Sequence, residues 1–167
     1  MKKNTLDEIY QAFMEDIYYY LLSLCRNKHV AEDIMQETFF RAYLYFEDCS
    51  YDKVKPWLFR VAHNAYIDFV RKNSRSYVKS NDFFYAIADR KTPEGKLLIK
   101  EQYEEIVDLI GKLPEKQKQV LLLCDFNDLS YKEAAEIMNI SLSYIKVLLF
   151  RARQHLRDRV ERDECFE

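Results

Sequence analysis

Apolar residues recur at helical spacing from near the start of the chain. Leu6, Ile9, Tyr10, Phe13, Ile17, Tyr20, Leu21 and Leu24 follow a 3.6-residue period. Thr5 followed by Glu8 has the form of a capping box, which places the start of a first helix at about Leu6. A second helix is predicted from about Val30 to Phe46, with Val30, Ile34, Met35, Thr38, Phe39, Ala42 and Phe46 as its core stripe. A loop is expected from Glu47 to Lys55, and Pro56 then suits the first position of a third helix reaching about Asn73. Trp57, Leu58, Val61, Ala62, Ala65 and Phe69 form the inward stripe of that helix.

The period breaks after Ser74, in a stretch of Ser, Asn, Asp and Lys that ends in Thr92-Pro93-Glu94-Gly95, with one helical turn expected around Phe83 to Ile87. It returns at Leu97, Leu98, Tyr103, Ile106, Val107 and Ile110. Leu113-Pro114-Glu115 ends one helix and begins another, which is expected to bury Val120, Leu121, Leu123 and Cys124. Ser130 with Glu133 is a second capping box, opening a short helix that bears Ala134, Ala135, Ile137 and Met138. After Asn139-Ile140-Ser141 a long helix is predicted from Leu142, with Ser141 as its cap. Leu142, Ile145, Leu149, Ala152 and Leu156 are expected inside, and Ser143, Tyr144, Lys146, Val147, Arg151 and Gln154 outside. A short helix, a tight turn and a second helix with a small Ala at the crossing make a helix-turn-helix pattern. The division expected is a helical domain over 1–75, a flexible linker over 76–95 and a second helical domain over 96–167.

Composition narrows the class. Only 2 Gly and 3 Pro occur in 167 residues, too few turn formers for a β-rich fold, so the expectation is all-α. Hydrophobic residues at 49% are sufficient for packed cores. No apolar run is long enough to span a bilayer and no signal peptide is evident, so a cytoplasmic location is expected. Cys25, Cys49, Cys124 and Cys165 are scattered without a CxxC pair, and the sharpest metal reading, Cys25 and His29 with Cys49, lacks paired ligand spacing. Neither metal nor cofactor is expected. No nucleophile–base set, carboxylate dyad or phosphate-binding Gly loop points to an enzyme.

Charge is unevenly spread within a net of −2. Residues 53–77 carry a net +5 and residues 141–162 a net +4, inside an otherwise acidic chain. Two separated contacts with a polyanion produce that pattern, and so do solvated helix faces. In the second helix Asp33, Gln36 and Glu37 share a side with Phe40 and Leu44. A solvated face does not need Phe40 and Leu44, whereas apolar anchors ringed by charge suit a protein interface. In the third helix Arg60, His63, Asn64, Ile67 and Arg71 face outward by period, and Arg71-Lys72-Asn73-Ser74-Arg75 offers phosphate contacts. Tyr51, Trp57 and Tyr66 are candidates to stack on an unstacked base. In the last helix the start is expected to meet base edges in a major groove, with Arg151, Arg153 and Arg157 nearer the phosphates.

Three stretches carry a family resemblance. Ala31-Glu32-Asp33-Ile34-Met35-Gln36-Glu37-Thr38-Phe39 resembles region 2.2 of sigma-70 factors, and Pro56-Trp57-Leu58-Phe59-Arg60 through Arg71-Lys72 resembles the region that follows it in the extracytoplasmic-function (ECF) group. Leu129-Ser130-Tyr131-Lys132-Glu133-Ala134-Ala135 through Phe150-Arg151-Ala152-Arg153 is similar to region 4.2. Within the ECF group the chain is most similar to the Bacillus cell-envelope stress type. The resemblance implies a sigma factor that carries core RNA polymerase to promoters, probed by requiring polymerase where a stand-alone DNA-binding regulator would not.

The same resemblance implies roles. Asp33, Gln36, Glu37 and Phe40 would dock on the β′ clamp helices. Tyr51, Lys53, Arg60, His63, Asn64, Ile67, Arg71 and Lys72 would read the −10 element as separated strand, with Asn64 lining the pocket for a flipped base. Ser141, Ser143, Tyr144, Lys146, Val147, Arg151 and Arg153 would read the −35 duplex, and the same unit would touch the β flap. An anti-sigma factor, often membrane-anchored, would cover the polymerase-binding surface. The family commonly has small and basic residues where this chain has Val147 and Leu148; buried packing is inferred for Leu148.

Overall fold

The computed structural model describes residues 5–45, 51–73 and 108–164. The chain divides into two compact units, Met1–Phe83 and Phe84–Glu167. The expected linker over 76–95, residues 97–107 of the helix expected from Leu97 to Leu113, and Phe46, expected in the core of the second helix, lie outside the described residues. Every regular element among the described residues is helical.

In the first unit α1 spans Leu6–Cys25, α2 Lys28–Tyr45 and α3 Tyr51–Asn73, and each packs on the other two. α1 starts where its cap dictates. Thr5 Oγ1 accepts from the Glu8 backbone N–H at 3.3 Å, and the Glu8 carboxylate accepts from the Thr5 N–H at 3.3 Å. The helix ends at Arg26, whose left-handed φ of 53° lets its N–H return to the Leu22 carbonyl. Ile9, Phe13, Ile17, Tyr20, Leu21 and Leu24 are buried, as the period requires. Each such side chain stabilises the fold by roughly 1.5–3 kcal/mol on leaving water. In α2 the interior belongs to Ala31, Ile34, Thr38, Phe39 and Ala42, while the expected core residues Val30 and Met35 are half-buried. Small Ala31 and Ala42 allow close approach of the neighbouring helices. Thr38 is buried without loss because its hydroxyl donates to the Ile34 carbonyl at 2.8 Å.

The loop expected up to Lys55 is shorter. Tyr51 to Lys55 already belong to α3, so Pro56 lies inside the helix. Near a helix start only one intrahelical N–H is lost to a proline there, and buried Val54 ahead of it gives the extra turn a packing contact.

In the second unit residues 108–111 are helical, α4 spans Glu115–Leu121, a π-helical turn covers Leu122–Phe126, α5 spans Tyr131–Met138 and α6 Leu142–Glu164. α4 and α5 both pack on α6, and the π turn joins them. The π turn is closed by Asn127, whose side-chain amide donates to the Leu122 carbonyl at 2.8 Å. Val120, Leu121, Leu123 and Cys124 are buried as expected. In α6, Ile145, Leu148, Leu149 and Ala152 form the inner face and Leu156 is half-buried. Leu142, expected inside, is 43% exposed, and the buried stripe of α6 begins one turn later at Ile145. No helix among the described residues is long and apolar enough to cross a membrane.

Candidate protein and nucleic-acid interfaces

α2 presents the first surface. Its buried stripe points into the three-helix unit, which leaves Asp33, Gln36, Glu37 and Phe40 on the outer side, all exposed. Phe40 is 57% exposed, and Tyr43, Leu44 and Tyr45 continue the apolar surface beyond it. A run of large exposed apolar side chains beside acids marks a contact face. Glu37 is not free: its Oε1 accepts from Arg41 Nε at 3.0 Å. Arg41 Nη1 also donates to Asp68 Oδ2 of α3 at 3.0 Å. The hydrogen bond to Glu37 and the charge of Asp68 raise the Arg41 pKa above its ordinary value. Arg41 therefore ties the outer face of α2 to α3.

α3 presents the second surface. Lys53, Arg60, Asn64, Arg71 and Lys72 are exposed and Ile67 is half-buried. Arg60, Asn64, Ile67 and Arg71 recur at four-, three- and four-residue steps, so they line one stripe of the helix. Tyr51 is the first residue of the helix, and its side chain lies outside the described residues.

His63 does not join that stripe. It is 6% exposed, and its Nδ1 hydrogen-bonds the Tyr20 hydroxyl of α1 at 3.1 Å. The Tyr20 ring in turn meets Phe59 edge-on at 5.3 Å. His63 is thus a core residue of the first unit, not a DNA-facing one. His63 lies four residues after Phe59 and three before Tyr66, so it shares their face of α3, and the structure buries both. Tyr66, a candidate for base stacking, is also in the core, and Trp57 is half-buried.

The third surface is the start of α6. Ser141 caps the helix by accepting from the Tyr144 N–H at 3.1 Å. Asn139 takes a left-handed φ of 54°, which makes the turn between α5 and α6 tight. Ser143, Tyr144, Lys146, Val147 and Arg151 are all exposed on the side away from Ile145, Leu148 and Leu149. Lys116 lies 5.6 Å over the Tyr144 ring, which holds a cation beside the exposed edge of that residue. Phe150, not singled out from the sequence, is 68% exposed on this helix. With Tyr131, Lys146, Arg153, Gln154 and Arg157 it lines a cleft of about 350 Å³.

Arg153 was expected near DNA phosphates. The structure instead pairs it with Asp125 of the π turn through two bonds, Nε–Oδ2 at 3.0 Å and Nη2–Oδ1 at 2.6 Å. Its guanidinium is held above the ordinary arginine pKa chiefly by the hydrogen bonds it donates to Asp125, with a smaller contribution from the neighbouring Tyr131 hydroxyl. With its Nε/Nη2 edge committed to Asp125, the guanidinium is held in an ion pair within the second unit.

Comparison with known proteins matches both units. A family model described as Sigma-70 region 2 covers residues 9–76, and one described as Sigma-70, region 4 covers residues 103–156. The ECF RNA polymerase sigma factor SigM of Bacillus subtilis (strain 168) is 44% identical over 155 residues, which is 92% of this chain and 93% of that protein. The ECF RNA polymerase sigma factor SigW of the same organism is 32% identical, over 90% of this chain and 86% of its own. Among solved structures, the sigma factor RpoE from Bartonella quintana in complex with the anti-sigma factor NepR has a TM-score of 0.71 at 23% identity, covering 93% of this chain and 98% of that one. CnrH in complex with the cytosolic domain of CnrY has a TM-score of 0.67 at 19% identity, covering 95% and 88%.

Proposed function

The chain belongs to the sigma-70 family, in its ECF branch, and from that membership we propose that it binds core RNA polymerase and directs it to promoters through −10 and −35 elements. Members of this family are initiation factors rather than enzymes. The observation that carries the reading is the outer face of α2. Exposed Phe40, Tyr43 and Leu44 beside Asp33, Gln36 and Glu37 have no use in a stand-alone duplex binder, and they suit docking on a large protein. The docked element is the β′ clamp helices.

The Lys53, Arg60, Asn64, Ile67, Arg71 and Lys72 stripe of α3 then lies against separated non-template strand of the −10 element, with Asn64 at a flipped base. Extruding a base costs on the order of a few kcal/mol, which a polar pocket partly offsets. The exposed start of α6, with Ser141, Ser143, Tyr144, Lys146, Val147 and Arg151, reads the −35 duplex while its unit touches the β flap. Weak contacts on two tethered units add through effective concentration once polymerase holds both. The protein works in the cytoplasm, in a stress response of the cell-envelope type. An anti-sigma factor, in one version membrane-anchored, holds it inactive by covering the α2 face, a reading supported by the fold shared with two proteins solved in complexes of that kind or with a cytosolic partner domain.

The test is run-off transcription with bacterial core polymerase on a library of randomised promoters. Enrichment of paired upstream and downstream elements is the expected result. Unselective transcripts, or none from a competent core enzyme, would overturn the reading.

A further inference from the structure

Three elements of the second unit converge on one side chain. Arg153 of α6 meets Asp125 of the π turn through a two-bond fork and lines one cleft with Tyr131, the first residue of α5. Asp125 arrives there because the turn Leu122–Phe126 is wider than an α-helical one and shifts the phase of the residues that follow. The inner face of α6 is held by Ile145, Leu148, Leu149 and Ala152, but apolar contact is non-directional and leaves rotation about the helix axis loosely set. A planar fork on a carboxylate is directional. The pair is partly exposed, Arg153 and Asp125 side chains being 45% and 30% accessible, so water screens its energy and its main effect is geometric.

We propose that Asp125 and Arg153 form a clasp that sets the rotation of α6, so that Ser143, Tyr144 and Val147 meet base edges in one register. Both are positioning residues that touch no DNA. This rests on the reading of α6 as the duplex-reading helix. From Arg153 back to Ser143 is ten residues, about 15 Å of helix, so a small rotation at the clasp moves the reading side chains together.

The sign of the charge change separates this from a phosphate role. Asp125→Asn removes a negative charge and releases Arg153. If Arg153 is a latent phosphate ligand, DNA binding strengthens. If the clasp positions α6, sequence discrimination falls although the protein has become more positive.

The experiment uses holoenzyme assembled from core RNA polymerase and the full chain. Binding is compared on a promoter selected by the unmodified protein and on the same promoter with its upstream element scrambled, over a range of salt. Asp125→Asn and Arg153→Ala are each expected to lower the ratio by about tenfold, the scale of one misaligned base contact. The exchange Asp125→Arg with Arg153→Asp rebuilds the pair and is expected to restore much of the ratio. Affinity for core polymerase and the salt slope stay unchanged. An unchanged ratio in Asp125→Asn with a salt slope steeper by about 0.9 assigns Arg153 to a phosphate and overturns the proposal. Equal losses on both promoters with a lowered urea midpoint reduce the pair to a fold contact and overturn it as well. A ratio of unity for the unmodified holoenzyme instead removes the duplex reading itself, and the clasp with it.

Discussion

Cys124 shows how one buried side chain acquires a testable pH signature. It lies on the inner side of the π turn at 8% exposure, free of any disulfide. Burial, and then the charge of Asp125, push its thiol from 9.0 up to about 11, against the opposing pull of Arg153. Near neutral pH the native thiol is therefore almost wholly protonated, and since the thiolate is the nucleophile, iodoacetamide should modify it far more slowly than in the urea-unfolded chain. The linkage runs the same way. The unfolded chain releases this proton at a lower pH than the folded one, so the stability is complete below 9.0 and is lost as pH rises to about 11. Cys124→Ala lowers stability at every pH by opening a small cavity, but it removes this part of the alkaline decline. Urea midpoints taken below 9.0 and between 9.0 and 11 check it: equal declines in the two proteins would show that the shift is absent. His63 belongs to the same scale. Its place beside Tyr20 is fixed by a contact 43 residues away in the chain, which helical period on α3 alone does not reveal.

At the scale of elements, what could be read from the chain was what is decided locally. Thr5 with Glu8 and Ser130 with Glu133 each close a reciprocal cap within four residues, and both helices begin where those pairs place them. Ser141 and Asn139 likewise marked the turn before α6. The π turn was not legible, because the groups that close it come from the break after the helix and lie five and six residues on, off the usual helical spacing: the Asn127 amide donates to the Leu122 carbonyl, and the Leu129 N–H reaches the Leu123 carbonyl at 3.1 Å. The start of α3 was misjudged because a proline suits the first position of a helix, yet packing of Val54 carries the helix one turn further. In the candidate sites the exposed faces of α2 and α6 followed from periodicity, whereas Arg153 did not, since its partner is 28 residues away. The local caps yield a sharp expectation. α5 has only eight residues, too few to hold a helix without help, so its Ser130 cap matters more than average. Ser130→Ala should destabilise the second unit by about 1 kcal/mol, and Ser130→Gly by only a few tenths. Urea denaturation followed by helicity measures both, and an Ala variant as stable as the unmodified protein would show that the cap contributes nothing.

For the whole molecule, charge is distributed in the way the proposed function requires. Segments 53–77 and 141–162 are basic, while the outer face of α2 is acidic and apolar. Under that proposal the basic segments favour nucleic acid and the α2 face favours protein. Asp33→Lys with Glu37→Lys inverts this face without entering the core, since both residues are exposed. The change breaks the Glu37–Arg41 pair and sets like charges one turn apart, but an exposed pair of this spacing contributes only about 0.3–0.5 kcal/mol, and Arg41 keeps Asp68. The double variant should therefore unfold in urea within about 0.5 kcal/mol of the unmodified protein. Its affinity for core RNA polymerase should nonetheless fall by at least about tenfold, because charge complementarity governs encounter and like charges oppose docking. Generic binding to duplex DNA should rise, since four units of charge have moved toward positive on a chain of net −2. The opposed signs carry the diagnosis: a misfolded variant loses both interactions, a stand-alone DNA binder keeps its polymerase-independent behaviour, and only a chain whose α2 face grips polymerase loses one while gaining the other. Normal affinity for core enzyme in a folded double variant would remove α2 from the interface.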